Sequence, residues 1–226
     1  MLSPKILTED NFADGLNFLI SRDSDLAEIF TRFGTPPLWV REPGFSTLIQ
    51  IILEQQVSLA SAKAVYTRLQ AAISPITPEL FLQLDDVEIK QIGFSRQKTL
   101  YARTLAQSII AGQLDLSSLS TMDDEEVRTV LKKLKGIGDW TVDIYLMMAL
   151  RRSDSLPKGD LGLILAIQKV KRLEHRPSSA EIELIAEIWR PWRAVATRLL
   201  WHYYLSERQS RIIQRGFKSQ RQSPEG

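Results

Sequence analysis

The sequence of 226 residues predicts an all-α protein. Apolar residues recur at three- and four-residue intervals along nearly the whole chain, and few stretches alternate with period two. In addition, Ser, Thr and Asp stand just ahead of several apolar runs, where a side-chain oxygen caps the open N–H groups of a new helix. With 44% hydrophobic and 25% charged residues, 11 Gly and 10 Pro, the chain reads as soluble and globular, and it is long enough to bury a core without staples. The absence of cysteine removes disulfides, thiolate zinc sites, cysteine nucleophiles and cysteine-held iron–sulfur clusters.

Taken in order, Thr8 and Ser24 are expected to cap two N-terminal helices with apolar faces Leu16, Phe18, Leu19 and Leu26, Ile29, Phe30, Phe33. Gly34 to Gly44 holds three prolines and two glycines and reads as a connection. Phe45–Leu53 and Ser58–Ile73 are expected helices. Thr77-Pro78-Glu79 is a cap followed by proline at the first helical position, and Ser95 opens a helix to about Ala111. Capping boxes at Asp123/Glu126 and Ser178/Glu181 mark two further starts. Helices follow over 125–133, 138–151, 161–172, 180–188 and from Trp192 to about Ser206.

Charge is uneven. Residues 1–60 carry 4 basic and 8 acidic groups, residues 61–226 carry 25 and 19, and the stretch 207–226 carries 5 and 2. That stretch is expected to be a basic tail with a disordered last ten residues. The start of the chain has no apolar leader, and the longest apolar run, Ile144 to Leu150, is too short to span a bilayer. An intracellular protein, cytoplasmic or at the nucleoid and with no membrane partner, is the expectation.

The chemistry concentrates in Leu131 to Asp143, LKKLKGIGDWTVD. Gly136, Ile137 and Gly138 make a tight turn whose bare backbone can approach a ligand, and the N–H groups of the helix that follows add a phosphate site. A plain connection with a C-cap glycine is the simpler use of the same residues. Downstream lies the loop Leu156-Pro157-Lys158-Gly159-Asp160-Leu161-Gly162, whose aspartate also suits the N-cap of the next helix.

These residues resemble the helix-hairpin-helix DNA glycosylase superfamily, in which an essential aspartate follows the hairpin by about twenty residues in a proline- and glycine-rich loop. Asp160 stands 22 residues after Gly138. The alkylation-repair branch, of 3-methyladenine DNA glycosylase II type, is similar in two more segments: FSTLIQIILEQQVSLASAKA from Phe45, and IWRPWRAVATRLLWHY from Ile188. A weaker likeness runs from Ile89 to Leu105, through the hairpin Ile92-Gly93-Phe94-Ser95 with Arg96 and Lys98 behind it. The resemblance covers roughly residues 36–206.

The resemblance implies two helical subdomains, one from about 45–140 and one from 1–44 with 141–206, with the catalytic Asp160 in a cleft between them. It implies a base pocket of Trp140, Trp201, Ile144 and His202, and a DNA wedge at Gln56 or its neighbour Gln55. Gly136, Ile137, Gly138, Lys133, Lys135 and Arg193, with Lys132, would contact the DNA backbone. The carbonyls of Lys132, Leu134 and Ile137 would hold a structural Na or K ion, with no other cofactor required. Trp140 stands where bifunctional members place a nucleophilic lysine, so the expected reaction is hydrolysis without strand cleavage. The tryptophans equally suit core packing, and the glutamines equally suit satisfying backbone groups. The expected partner is damaged double-stranded DNA, bound by a monomer. The rival readings are a DNA-binding hairpin module without catalysis and a glycosylase for a neutral damaged or mismatched base.

Overall fold

The computed structural model describes the backbone of residues 6–220 and the side chains of residues 6–210. Among the described residues there are twelve α-helices and two short 3₁₀ turns, and the β-pairing is a single isolated bridge between Ile6 and Arg152. None of these helices is long and apolar enough to cross a membrane.

The chain forms two compact units. The first takes Met1–Ile6 and Trp39–Ser155, the second Leu7–Leu38 and Leu156–Gly226. The expected boundary near residue 140 is therefore corrected to 155. The helix after the hairpin packs on earlier helices of the first unit and goes with them.

The first unit holds α3 (Phe45–Glu54), α4 (Leu59–Ala72), α5 (Pro78–Gln83), α6 (Asp86–Ile92), α7 (Arg96–Ile110), α8 (Asp124–Leu131) and α9 (Asp139–Met148). Helix α3 is its axis, with α4, α7 and α9 packed against it. Seven of the ten α3 residues are buried, and Phe45, Phe81 and Phe94 meet with ring centroids 6.0 and 5.6 Å apart. The segment after Thr77 divides into two helices because Asp85 and Glu88 form a capping box that starts α6. Gly93 ends α6 at φ 106°, and a Cβ there would lie 2.6 Å from the Arg68 guanidinium, which bonds the Ile92 carbonyl.

The second unit holds α1 (Glu9–Arg22), α2 (Ser24–Phe33), α10 (Leu161–Val170), α11 (Ser179–Ile185) and α12 (Arg193–Gln220), with α12 packed on α1, α2 and α10. Thr8 caps α1 in a capping box with Asn11. The cap of α2 is Asp23 rather than Ser24, because its buried carboxylate accepts the N–H groups of Asp25 and Leu26. The same carboxylate receives Lys171 Nζ at 2.7 Å and the Trp189 indole N–H at 2.7 Å. Arg198, fully buried on α12, donates to the carbonyls of Leu38 and Ala194. Helix α12 continues to Gln220, well past the expected end at Ser206. The disorder expected for the last ten residues is thus replaced by helix over 217–220, while residues 221–226 lie outside the described residues.

Candidate active site

The hairpin joins α8 to α9. Gly136 adopts φ 91°, and a Cβ built on it would fall 2.1 Å from the Tyr101 ring, so the turn needs glycine for both conformation and space. Gly138 differs. Its φ of −107° suits any residue and a Cβ would meet nothing within 4 Å, so the space beside it is open for a ligand. It is the N-cap of α9 and offers no side-chain cap. The opening N–H groups of α9 thus present the partial positive charge that attracts a phosphate oxygen. Ile137 is buried and its N–H bonds the Leu134 carbonyl at 3.2 Å, while Lys133 and Lys135 are exposed. Lys132 is tied to Asp139 at 2.8 Å, which holds the Asp139 carboxyl below the usual range.

Two connected glutamines separate α3 from α4, and they face different ways. Gln56 is exposed, at φ 57°. Gln55 is half-buried, and its Nε2 donates to the Gly136 carbonyl and to Thr141 Oγ1, both at 2.9 Å. Of the two residues expected as a wedge, Gln55 thus has its amide engaged on the hairpin, while Gln56 stands exposed. The loop is fixed on its other sides as well. Lys98 Nζ donates to the Leu53 carbonyl at 2.6 Å, and burial pushes its pKa down. Glu54 takes a two-pronged pair with Arg41 at 2.8 and 3.0 Å.

In the second unit the Leu156–Gly162 loop is a compact turn, with the Lys158 N–H on the Leu156 carbonyl and the Asp160 N–H on the Pro157 carbonyl, each at 2.9 Å. Asp160 caps α10 as expected, with Oδ1 accepting the Leu163 N–H at 2.8 Å. The same Oδ1 accepts the Trp201 indole N–H at 2.9 Å, across 41 residues of chain. The carboxylate is thereby fixed from two directions. Gly162 makes room for it, since a Cβ there would stand 3.1 Å from Asp160 Oδ1 and 3.6 Å from the rings of Trp201 and Tyr204. The one local sign of this role in the sequence is a glycine two residues after Asp160.

The remaining candidates divide. Trp140 is half-buried on α9 of the first unit, so the two tryptophans come from different units. Ile144 is buried at 2% exposure and Arg193 is half-buried at the head of α12. His202 is engaged within the second unit. Its Nε2 meets the Phe33 carbonyl at 2.9 Å and its ring packs edge-on to Phe33, so it serves the contact of α12 with α2. One residue along a helix turns 100°, which carries His202 off the face that brings Trp201 to Asp160. Among the described residues no cluster of three or more His, Cys, Asp or Glu gathers as a metal site.

A chain with this hairpin, and with an indole-held aspartate capping the helix that follows its loop, matches the sequence signature of HhH-GPD superfamily base excision DNA repair proteins over residues 49–191. The chain belongs to that superfamily. Among relatives, a Bacillus subtilis protein provisionally named DNA-3-methyladenine glycosylase YfjP is 29% identical over 186 residues, which span 79% of this chain and 65% of that protein. DNA-3-methyladenine glycosylase 1 of Schizosaccharomyces pombe is 28% identical over 165 residues, 71% of this chain and 72% of that one. Among solved structures, the fission-yeast 3-methyladenine DNA glycosylase in complex with abasic DNA superimposes with a TM-score of 0.79 at 25% identity, over 83% of this chain and 95% of that one.

Proposed function

We propose that the chain is a monofunctional DNA glycosylase that flips alkylated bases of the 3-methyladenine and 7-methylguanine type out of damaged duplex DNA and hydrolyses their N-glycosidic bond, the opening step of base excision repair. The observation that carries this reading is the Asp160 carboxylate fixed by Trp201 at the head of α10, in a protein of the hairpin repair superfamily. The names of its relatives support the alkylated base as substrate.

A purine alkylated at a ring nitrogen carries positive charge and is a good leaving group. As the C1′–N bond breaks, its electron pair goes to the base and cancels that charge, while the sugar becomes an oxocarbenium ion. Asp160 faces that cation with a negative charge whose position is already set, so little reorganisation opposes the step. A water oxygen forms the new bond to C1′ and its proton leaves to the carboxylate or to solvent. The products are the free base and an abasic site in an uncut strand. Trp140 in place of an amine supports the uncut outcome, because no Schiff base can form there.

The Trp201 bond to Asp160 uses the edge of the indole; its face is the electron-rich surface that attracts a cationic base, at about 0.5–2 kcal/mol. Trp140 is assigned the same task. Gln56 would fill the gap left by the flipped base. The hairpin, with Lys133, Lys135 and Arg193, would take the phosphates of a duplex bound by one copy of the chain. A Na or K ion on the carbonyls of Lys132, Leu134 and Ile137 would add a positive charge toward the same phosphate. The donor set, neutral carbonyl oxygens only, suits a monovalent ion.

The test is base release from randomly methylated duplex DNA, resolved by chromatography. The wild-type chain is expected to release cationic methylpurines, and Asp160→Asn to lose nearly all release while keeping DNA affinity. Asparagine caps a helix as well as aspartate does, so the variant removes the charge without removing the cap. Full activity in Asp160→Asn would sink the assignment, and a covalent adduct trapped by borohydride with the wild type would refute hydrolysis as the sole path.

A further inference from the structure

The Gly136 carbonyl can only accept, so the atom of Gln55 that faces it at 2.9 Å is the amide nitrogen, and the second hydrogen of that nitrogen reaches Thr141 Oγ1 at 2.9 Å. A trans peptide is planar, and holding its carbonyl fixes its N–H on the opposite side. The N–H of the Gly136–Ile137 peptide is the one that bonds the Leu134 carbonyl at 3.2 Å. That peptide is therefore gripped at both ends, and the Tyr101 ring beneath Gly136 blocks retreat. The next N–H groups along the chain are those of Gly138 and the first turn of α9, beside open space. The side chain that grips the preceding peptide comes from a different part of the sequence, 81 residues earlier. The residue after Gln55 is the exposed Gln56 in the left-handed region, a conformation that persists only when its surroundings enforce it.

We propose that Gln55 is a positioning residue: its amide aims the hairpin N–H groups at a DNA phosphate and joins the hairpin to the Gln56 loop as one rigid reading edge. This rests on the reading of the hairpin as the DNA-backbone contact, and it assigns to Gln55 the task of holding that contact rather than entering the duplex.

The variant is Gln55→Met, similar in length and without a donor, measured for binding to undamaged duplex over a range of salt, alone and combined with Gly138→Ala. Each single change is expected to weaken binding to all sequences by roughly tenfold, the worth of one hydrogen bond to a charged group, with the slope of log K against log salt little changed because neutral N–H groups make the contact. Because both act on the same contact, the double variant is expected to be no weaker than the worse single one. Unchanged affinity in Gln55→Met, or additive losses in the double, overturns the proposal. If Gly138→Ala also leaves affinity unchanged, the reading of the hairpin falls with it. Nothing in this measurement requires base excision, so a failure of the glycosylase assignment leaves it intact. Amide NMR spectra keep the proposal testable if stability changes: shifts and faster exchange confined to Gly136–Thr141 support it, and a uniform loss of protection across α3–α9 overturns it. If Gln55 were itself the wedge, the variant would lose base flipping, read by 2-aminopurine fluorescence, at unchanged affinity for undamaged duplex, and that result too overturns it.

Discussion

Gly136 and Gly138 share a turn but are glycine for different reasons, and substitution separates them. Alanine at 136 must adopt φ 91° with its Cβ inside the Tyr101 ring, so a loss on the order of 1–3 kcal/mol is expected, a fall in Tm of about 2–4 °C for each kcal/mol. Alanine at 138 meets nothing in the protein, so Tm should hold within a degree or so while binding to every DNA sequence weakens. Thermal melts beside binding curves check both. At Gly162 the expectation is reversed: alanine suits the first turn of α10, yet its Cβ presses on Asp160 Oδ1 at 3.1 Å. Tm should stay level or rise slightly while single-turnover base release falls roughly three- to thirtyfold, since small displacements of a reacting group are costly. The Asp160 cap was legible in the sequence, because a cap position and a turn-forming loop are local patterns. The bond from Trp201 was not, since nothing in a linear spacing of 41 residues says which face of α12 meets α10. Gln55 and Gln56 are adjacent identical residues, and only the backbone turn between them decides that one braces and the other protrudes.

The hairpin is held from outside by charge as well as by its turn. Arg128 on α8 reaches Asp143 at 2.6 Å, Asp139 at 3.5 Å and Glu125 at 3.5 Å, and Asp143 is only 5% exposed. Removing the guanidinium leaves a buried carboxylate without it, so Arg128→Met is expected to cost about 3–5 kcal/mol, and adding Asp143→Leu should recover much of that. Urea unfolding of the single and double variants decides it. Such pairs across two helices are hard to read from sequence, whereas the helices themselves were largely legible through Thr8, Thr77, Ser95, Asp123 and Ser178, each of which caps as its pattern implies. The start of α6, marked by the Asp85/Glu88 capping box, is not among the starts read from the sequence. The length of α12 was missed because falling apolar content argues for a loose tail, although a helix can outrun the core it packs on.

For the whole molecule, the Asp23 cluster predicts an acid limit for the second unit. Burial alone would push this carboxyl up, but Lys171, Trp189 and the Leu26 N–H together hold it below its ordinary value. A carboxyl depressed on folding contributes stability above its unfolded pKa, near 4, and that contribution is lost as pH falls through the lower folded value. The urea midpoint followed by tryptophan fluorescence should therefore drop as pH falls below about 4, and Asp23→Asn should be weaker at pH 7 but flatter across that acid range. A parallel acid limb in the variant would refute the assignment. The same cluster bears on how the protein is made. Lys171 lies 148 residues beyond Asp23, with nearly the whole first unit between them. At about 5–20 residues per second, a ribosome needs roughly 7–30 s to supply Lys171 after Asp23 has emerged. Through that interval the apolar stripes of α1 and α2 have none of the partners that α10 and α12 later provide, and the first unit can complete itself before they arrive. The half that carries Asp160 is thus the last to form on the ribosome, and its earliest helices are the part of the nascent chain that chaperones would have most reason to cover.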